Sequence, residues 1–508
     1  MKFFFTFIAV CGVSVAAAEV RLPALISSGM VVQRDAPITL WGWADAGERI
    51  RITFRDEERS VRADRSGRWL VRLGPRPAGG PYEMTIAGAN RVTLNDILIG
   101  DVWLASGQSN MEWPVRDGGM SIDDAERELA RATLPELRLF AVDHQIALTP
   151  QTDVGSSAWT AARVETVAKF SAVAILFGRE LHERYGVPVG LIQSSWSGTP
   201  AESWMSEQGL RAVPELHETA NSLRAVAKEL TPFVAPDAPS VIFNRMIQPL
   251  TPFGVKGVIW YQGESNASDE RRALQYRALF PALIRDWRSA WGSELPFLFV
   301  QLAGFGANQN EPAEYPWALL REAQDATLSL PRTGMASAVD IGNERDIHPT
   351  NKQDVAHRLV LAAAAVAYGE NVVHSGPRYR SMRVAGACID IEFSDVGAGL
   401  WIKDKYGYAR GFEIAAADGV FKWAQARLAG DAIRVCSAAV DEPAAVRYDW
   451  ANTPDGNLYN REGLPALPFR TSIPTRAAPR ESRATSAFGG LRVSKSSLKI
   501  VDNQTRYE

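Results

Sequence analysis

The spacing of apolar residues along this 508-residue chain changes twice. From residue 19 to about 97, short runs alternate apolar and polar positions, as in Ile38-Thr39-Leu40-Trp41-Gly42-Trp43 and Ile50-Arg51-Ile52-Thr53-Phe54. Turn-forming stretches such as Asp45-Ala46-Gly47 and Asp64-Arg65-Ser66-Gly67 separate them, and this spacing predicts a small β-sandwich over 19–97. From about 98 the pattern becomes strands alternating with helical stretches. Strands are expected at 101–105, 137–142, 189–194, 256–262, 296–302 and 335–341, with helices such as 171–184 and 268–291 between them. That alternation predicts an α/β domain over 98–370, its parallel sheet covered on both faces. Alternating strands return over 371–473, as in Ile389-Asp390-Ile391-Glu392-Phe393, so a second β module is expected there. Residues 474–508 are rich in Arg, Ser and Ala with few large apolar side chains, and are expected not to fold.

In parallel sheets of this kind ligands bind beyond the carboxyl ends of the strands. Four of the predicted strand ends run into small polar turns. Asp101 to Ala105 leads into Ser106-Gly107-Gln108-Ser109-Asn110-Met111, and Val189 to Gln193 into Trp196-Ser197-Gly198-Thr199-Pro200. Val258 to Tyr261 leads into Gln262-Gly263-Glu264-Ser265-Asn266, and the turn Arg345-Asp346-Ile347-His348-Pro349 supplies a histidine. Serine, histidine, carboxylate and small-residue turns gathered on one rim are the ingredients of a serine hydrolase.

Composition narrows the setting. Formal net charge is −3, which gives no reason to expect nucleic acid or an anionic membrane surface as a partner. Met1-Lys2, an apolar run from Phe3 to Val15 and Ala16-Ala17-Ala18 read as a secretory leader over 1–18, cleaved after Ala18. The run is shorter than the roughly 20 residues a membrane-spanning helix needs. The mature protein is therefore expected to be exported, periplasmic or extracellular, with no membrane span. Only Cys388 and Cys436 would remain after cleavage. Export makes a disulfide chemically possible, but two buried free thiols are the reading favoured here. No two cysteines or histidines fall at ligand spacing, so no metal and no other cofactor is expected.

The motifs GQSNMEWP at 107–114, SWSGTPAESW at 195–204, WYQGESNA at 260–267 and DIHPTNK at 346–352 resemble, in order, those of the sialate O-acetylesterase family. The resemblance covers roughly residues 95–370. It implies an SGNH-type hydrolase, a three-layer α/β/α sandwich with a parallel sheet, here flanked by N- and C-terminal β-sandwich-like modules. It also implies deacetylation of a carbohydrate ester. Position 111 is Met, so the G-x-S-x-G elbow of α/β-hydrolases is absent around Ser109. A catalytically silent carbohydrate-binding protein, an acetyl-xylan-type esterase and a serine peptidase are the alternatives.

On this reading Ser109 is the nucleophile, where the bland alternative is a helix-capping serine. His348, held by Pro349 at the start of a helix, is its base, kept neutral by the positive helix end. Asp346 can fix the imidazole tautomer, making a triad. Its spacing is one residue shorter than the Asp-x-x-His common in SGNH enzymes, so a backbone carbonyl could orient the ring in a Ser–His dyad instead. The backbone N–H groups of Ser109 and Gly198 are candidate oxyanion donors. The resemblance implies a further side-chain amide from the third motif, and Gln262 and Asn266 both offer one. Glu264 can position that loop, bind substrate or be purely structural. Trp113, Trp196, Trp204 and Trp260 suit either a sugar face or the core, with core favoured. Arg321 can meet a substrate carboxylate, but a helix-surface ion pair is the favoured reading.

Overall fold

The computed structural model describes residues 19–228 and 235–471; the expected leader (1–18) and the tail (474–508) lie outside the described residues. At the N-terminus, Ile38–Trp43 pairs with Arg68–Leu73 in one sheet, and Arg49–Phe54 pairs with Glu57–Arg62 and Gly79–Ala87 in another. Ile50, Ile52 and Phe54 point inward and the residues between them point out, as the period of two requires.

The next strand, β1 (Arg91–Gly107), is 17 residues long. Its first half pairs with Gly79–Ala87, and from Asp101 to Gly107 it is the middle of the central sheet. The N-terminal strands and the central sheet thus share one continuous backbone. The other central strands are β2 (Leu134–Ala141), β3 (Thr160–Ala162), β4 (Val189–Ser195), β5 (Gly257–Tyr261), β6 (Phe297–Gln301) and β7 (Thr333–Ser337), in the order β3-β2-β4-β1-β5-β6-β7. All neighbours are parallel except β3, which pairs antiparallel at the edge. Each strand expected from sequence is present. The three-residue β3 is too short to leave a pattern.

The helices that position the site are α1 (Ser109–Glu112), α2 (Ala172–Tyr185), α3 (Glu270–Trp291), α4 (Pro316–Thr327) and α5 (Lys352–Val366). Trp103 of β1 packs edge-on against Phe177 of α2, ring centroids 5.0 Å apart, whereas Trp260 of β5 packs against Phe280 and Trp287 of α3. Trp103 stands level with Gly257, and Trp260 is three residues further along β5, so the two tryptophans leave opposite faces of the sheet. Helices cover both faces, the three-layer arrangement expected. Full burial of a phenylalanine such as Phe177 or Phe280 is worth on the order of 1.5–3 kcal/mol.

The described C-terminal strands form three antiparallel sheets, one containing Cys388–Ser394 and Ala432–Cys436, another Phe412–Ala415 and Ala445–Tyr448, and a third the pair Leu400–Ile402 and Leu458–Asn460. Cys388 and Cys436 face each other across the first sheet, Cα atoms 4.4 Å apart, and form a disulfide. The free-thiol expectation is therefore corrected. Residues 48 positions apart in sequence gave no sign of the register that brings them opposite one another.

Candidate active site

β1, β4 and β5 end level with one another, and their turns are stitched together by main-chain bonds. Gln108 N–H donates to Tyr261 O (3.0 Å) and Trp196 N–H to Gly107 O (3.0 Å). Gly107 has φ +137°, and a Cβ there would stand 2.1 Å from Tyr261 O, so only glycine lets the first and third motifs approach this closely. The turns open on a cavity of about 590 Å³ lined by Gln108, Ser109, Glu112, Trp113, Gly198 and His348 among others.

Ser109 and His348, 239 positions apart, meet in its wall: His348 Nε2 lies 2.8 Å from Ser109 Oγ. The imidazole stacks on Trp113, ring centroids 4.7 Å apart and 25° from parallel. Burial, and then the charge of Lys352, hold the His348 pKa below its usual value, with Asp346 opposing. A neutral imidazole beside a hydroxyl is the pairing that general-base activation of a serine needs.

The local structure sets aside the helix-capping alternative at Ser109 and differs from expectation at His348. Ser109 is the first residue of α1 rather than its cap, and α1 is only four residues long. A helix so short contributes little dipole to the turn. Pro349 does not open the following helix. α5 begins at Lys352, capped by Asn351, whose side chain accepts the Asp354 N–H at 3.0 Å. His348 sits in the turn before it, and its neutrality comes from burial and Lys352 rather than from a helix end.

Asp346 is half exposed. Its Oδ1 accepts the backbone N–H of His348 at 2.8 Å but stands 3.8 Å from the ring Nδ1, beyond hydrogen-bond range. Gly198 lines the cavity with φ +75° and open space where a Cβ would be. Neither its N–H nor that of Ser109 is used in a loop or cap bond to the backbone.

Gln262 and Asn266 are not brought to the cavity. Gln262 Nε2 donates to Asn266 Oδ1 (2.7 Å), and Tyr276 donates to Gln262 Oε1 (2.9 Å). Asn266 Oδ1 also accepts the Ala201 N–H (2.9 Å), while its Nδ2 donates to Glu202 (2.9 Å). Both amides are buried and engaged in joining the second and third motifs. Gln108 is the amide side chain of the first motif that does line the cavity, and its Oε1 accepts the Ser265 N–H at 3.2 Å.

Behind the pair lies a buried network absent from the sequence reading. Lys352 Nζ donates to Asn110 Oδ1 (2.5 Å), and Asn110 Nδ2 donates to Glu264 Oε1 (2.6 Å) and to Ile347 O (3.0 Å). Burial pulls the lysine pKa down to about 7 and pushes that of Glu264 up, each partly offset by the other's charge. The motif letters Asn110 and Lys352 were legible; their convergence was not.

Trp204 and Trp260 are core residues, and Trp113 is cavity wall. Arg321 fits neither expectation. It is fully buried, with its pKa lowered by that burial to about 10. It donates to the carbonyls of Leu302 (2.8 Å), Ala303 (2.9 Å), Ala451 (2.7 Å) and Asn452 (2.8 Å). It therefore clamps the C-terminal strands to the end of β6, far from any ion-pair role on a helix surface. Among the described residues, no helix is long and apolar enough to cross a membrane.

Residues 99–367 match the family described as carbohydrate esterase, sialic acid-specific acetylesterase. The chain is 31% identical to the sialate O-acetylesterase of Rattus norvegicus over 90% of its own length and 95% of the relative's. It is 32% identical to the sialate O-acetylesterase of Homo sapiens, over 88% of its own length and 92% of the relative's. Among solved structures it resembles a carbohydrate acetylesterase from Xanthomonas citri. That likeness has a TM-score of 0.81 at 42% identity and covers 89% of this chain and all of that one.

Proposed function

The chain belongs to the sialic acid-specific acetylesterase family of carbohydrate esterases and removes acetyl groups from carbohydrates; on that premise we propose that Ser109 and His348 carry out the hydrolysis. Ser109 Oγ attacks the acetyl carbonyl as His348 Nε2 takes its proton. The backbone N–H groups of Ser109 and Gly198 receive the oxyanion. His348 returns the proton to the departing sugar oxygen, leaving an acetyl-serine. Water, deprotonated by the same imidazole, then releases acetate. The observation that carries this reading is the 2.8 Å contact between Oγ and Nε2 in the wall of the cavity.

The pair works as a dyad in this reading. Asp346 holds the His348 backbone, and Trp113 and the Ser109 hydroxyl hold the ring. Glu264 acts on Asn110 rather than on substrate. Gln262 and Asn266 brace the loop and give the oxyanion nothing directly. The chain divides into an N-terminal β module (19–97), a catalytic domain (98–370) and a C-terminal β module (371–473). The leader directs export to the periplasm or beyond, which suits the Cys388–Cys436 disulfide.

The acetylated sugar is a sialic acid, as the names of the rat and human relatives suggest. A different acetylated glycan, of the acetyl-xylan type for instance, is the second reading. It has support in that the Xanthomonas structure, to which the identity is higher, is described by the wider term carbohydrate acetylesterase. Acetate release from a panel of acetylated sialosides and plant glycans, with Ser109→Ala as control, separates them. The first reading expects release from the sialosides and at most traces elsewhere; release confined to the plant glycans would replace it with the second.

A further inference from the structure

His144, which lies outside every matched motif, stands beside the cavity in a cluster with Glu112. One oxygen of Glu112 (Oε2) accepts both the N–H and the Oγ–H of Ser197, each at 2.6 Å. The other (Oε1) lies 3.0 Å from His144 Nε2. The same His144 nitrogen is 2.9 Å from Ser195 O, and the imidazole lies flat on the Trp196 ring, centroids 4.6 Å apart and 7° from parallel. Both partners of Nε2 are acceptors, so that nitrogen carries its proton in either charge state. Three consecutive residues ahead of Gly198 are thus each gripped by this pair: Ser195 by its carbonyl, Trp196 by its ring, Ser197 by its N–H and hydroxyl. Glu112 is also the last residue of α1, which begins with Ser109.

We propose that Glu112 and His144 are positioning residues which fix the distance between the Ser109 hydroxyl and the Gly198 N–H. This rests on the roles given above to Ser109 and Gly198. A donor that strains or drifts before the tetrahedral intermediate forms stabilises it less, and a displacement near 1 Å can cost about a hundredfold in rate. The pair spans two turns that share no covalent neighbour, α1 after β1 and the loop after β4, and adds a side-chain tie beyond the main-chain bond from Trp196 N–H to Gly107 O, at the point where both turns leave the sheet. Charge strengthens the grip. The hydrogen bond that His144 donates to Glu112 raises the His144 pKa against the opposing effect of burial, and Asp143 beside it adds to the rise. Burial raises the Glu112 carboxyl, but hydrogen bonds from His144 and Ser197 outweigh it and leave the group below its usual value. Those are the charged groups that face His144: Glu112 from α1 and Asp143 from its own segment. Below the raised histidine pKa the ion pair is complete. As pH climbs through it, the positive charge is lost and the hold weakens.

The test is steady-state hydrolysis of one acetate ester across pH by the full chain, with three variants. Glu112→Gln should lower kcat roughly tenfold to a hundredfold while KM stays within about twofold. His144→Gln, which keeps a side-chain N–H donor, should retain kcat within about threefold yet lose the decline in rate on the alkaline side. His144→Leu should lose kcat as Glu112→Gln does. A KM that rises with kcat unchanged in Glu112→Gln would make Glu112 a substrate contact and overturn the proposal. So would an alkaline decline that persists in His144→Gln. Labelling of the wild type by a fluorophosphonate is run alongside. Its absence would sink the Ser109 reading, whereas labelling with unaltered kcat in the variants sinks only the positioning role.

Discussion

Asp346 reaches the backbone of His348 and not its ring, and this decides what its removal should do. Asp346→Asn keeps an oxygen able to accept the His348 N–H, so turnover should fall by about tenfold or less, about 1.4 kcal/mol. His348→Ala removes the base and should cost several orders of magnitude. Turnover of both variants on one acetate ester, above the histidine titration, checks the contrast; a severe Asp346→Asn would restore the triad. The second prediction at this scale concerns Lys352. Burial and the lysine charge both disfavour the His348 imidazolium, so the base stays neutral below its usual pKa. The acid limb of the kcat/KM profile should therefore lie below about pH 6.5. With the Lys352 pKa near 7, the lysine is mostly charged over that limb. Lys352→Met removes the charge and should move the limb to higher pH, and a limb that stays put or moves down contradicts the account. Ser109 and Gly198 were singled out in sequence because each follows closely on a strand end, and His348 because its turn carries the motif DIHPTNK. His144 and Lys352 were not, because their meaning lies in partners 32 and 242 positions away.

Single elements were legible where periodicity is long and strong. β1, β4, β5 and the 22-residue α3 follow the apolar pattern closely. Helix starts were less so. Pro349 is a good first helical residue, but the Asn351 side chain satisfies the Asp354 N–H and wins the start of α5. That leaves His348 in a turn, held by Asn343, whose Oδ1 accepts the N–H groups of Arg345 (2.9 Å) and Asp346 (2.8 Å). The disulfide was missed for a related reason: strand register is fixed by pairing and cannot be read from one strand. Replacing Cys388 and Cys436 with serine frees a 48-residue separation in the unfolded chain. This should lower stability by about 2–4 kcal/mol, read as a fall in the urea midpoint. An unchanged midpoint would mean the bond adds nothing to the C-terminal sheets.

The molecule as a whole is held together by backbone continuity at one end and a buried cation at the other. β1 runs unbroken from the N-terminal strands into the centre of the catalytic sheet, so the change of pattern near residue 97 marks a change of partner, not a break in the strand. At the other end, four carbonyls from two parts of the chain share the Arg321 guanidinium. Arg321→Met leaves them without donors and should destabilise the protein by roughly 3 kcal/mol. Denaturant unfolding measures it, and a stable, fully active variant would show that the clamp is dispensable. An arginine on a helix reads as a surface residue unless the carbonyls folding over it are known, so this contact was invisible in sequence.

The central claim is that Ser109 carries the acetyl group, and an organophosphate probe tests it most directly. Intact protein is treated with the probe, residual acetate release is measured, and the tagged peptide is located by mass spectrometry. The account predicts one tag per chain on Ser109, activity lost in proportion to tagging, and no tag in Ser109→Ala. A tag on another residue, or full acetate release by a protein tagged at Ser109, would contradict it.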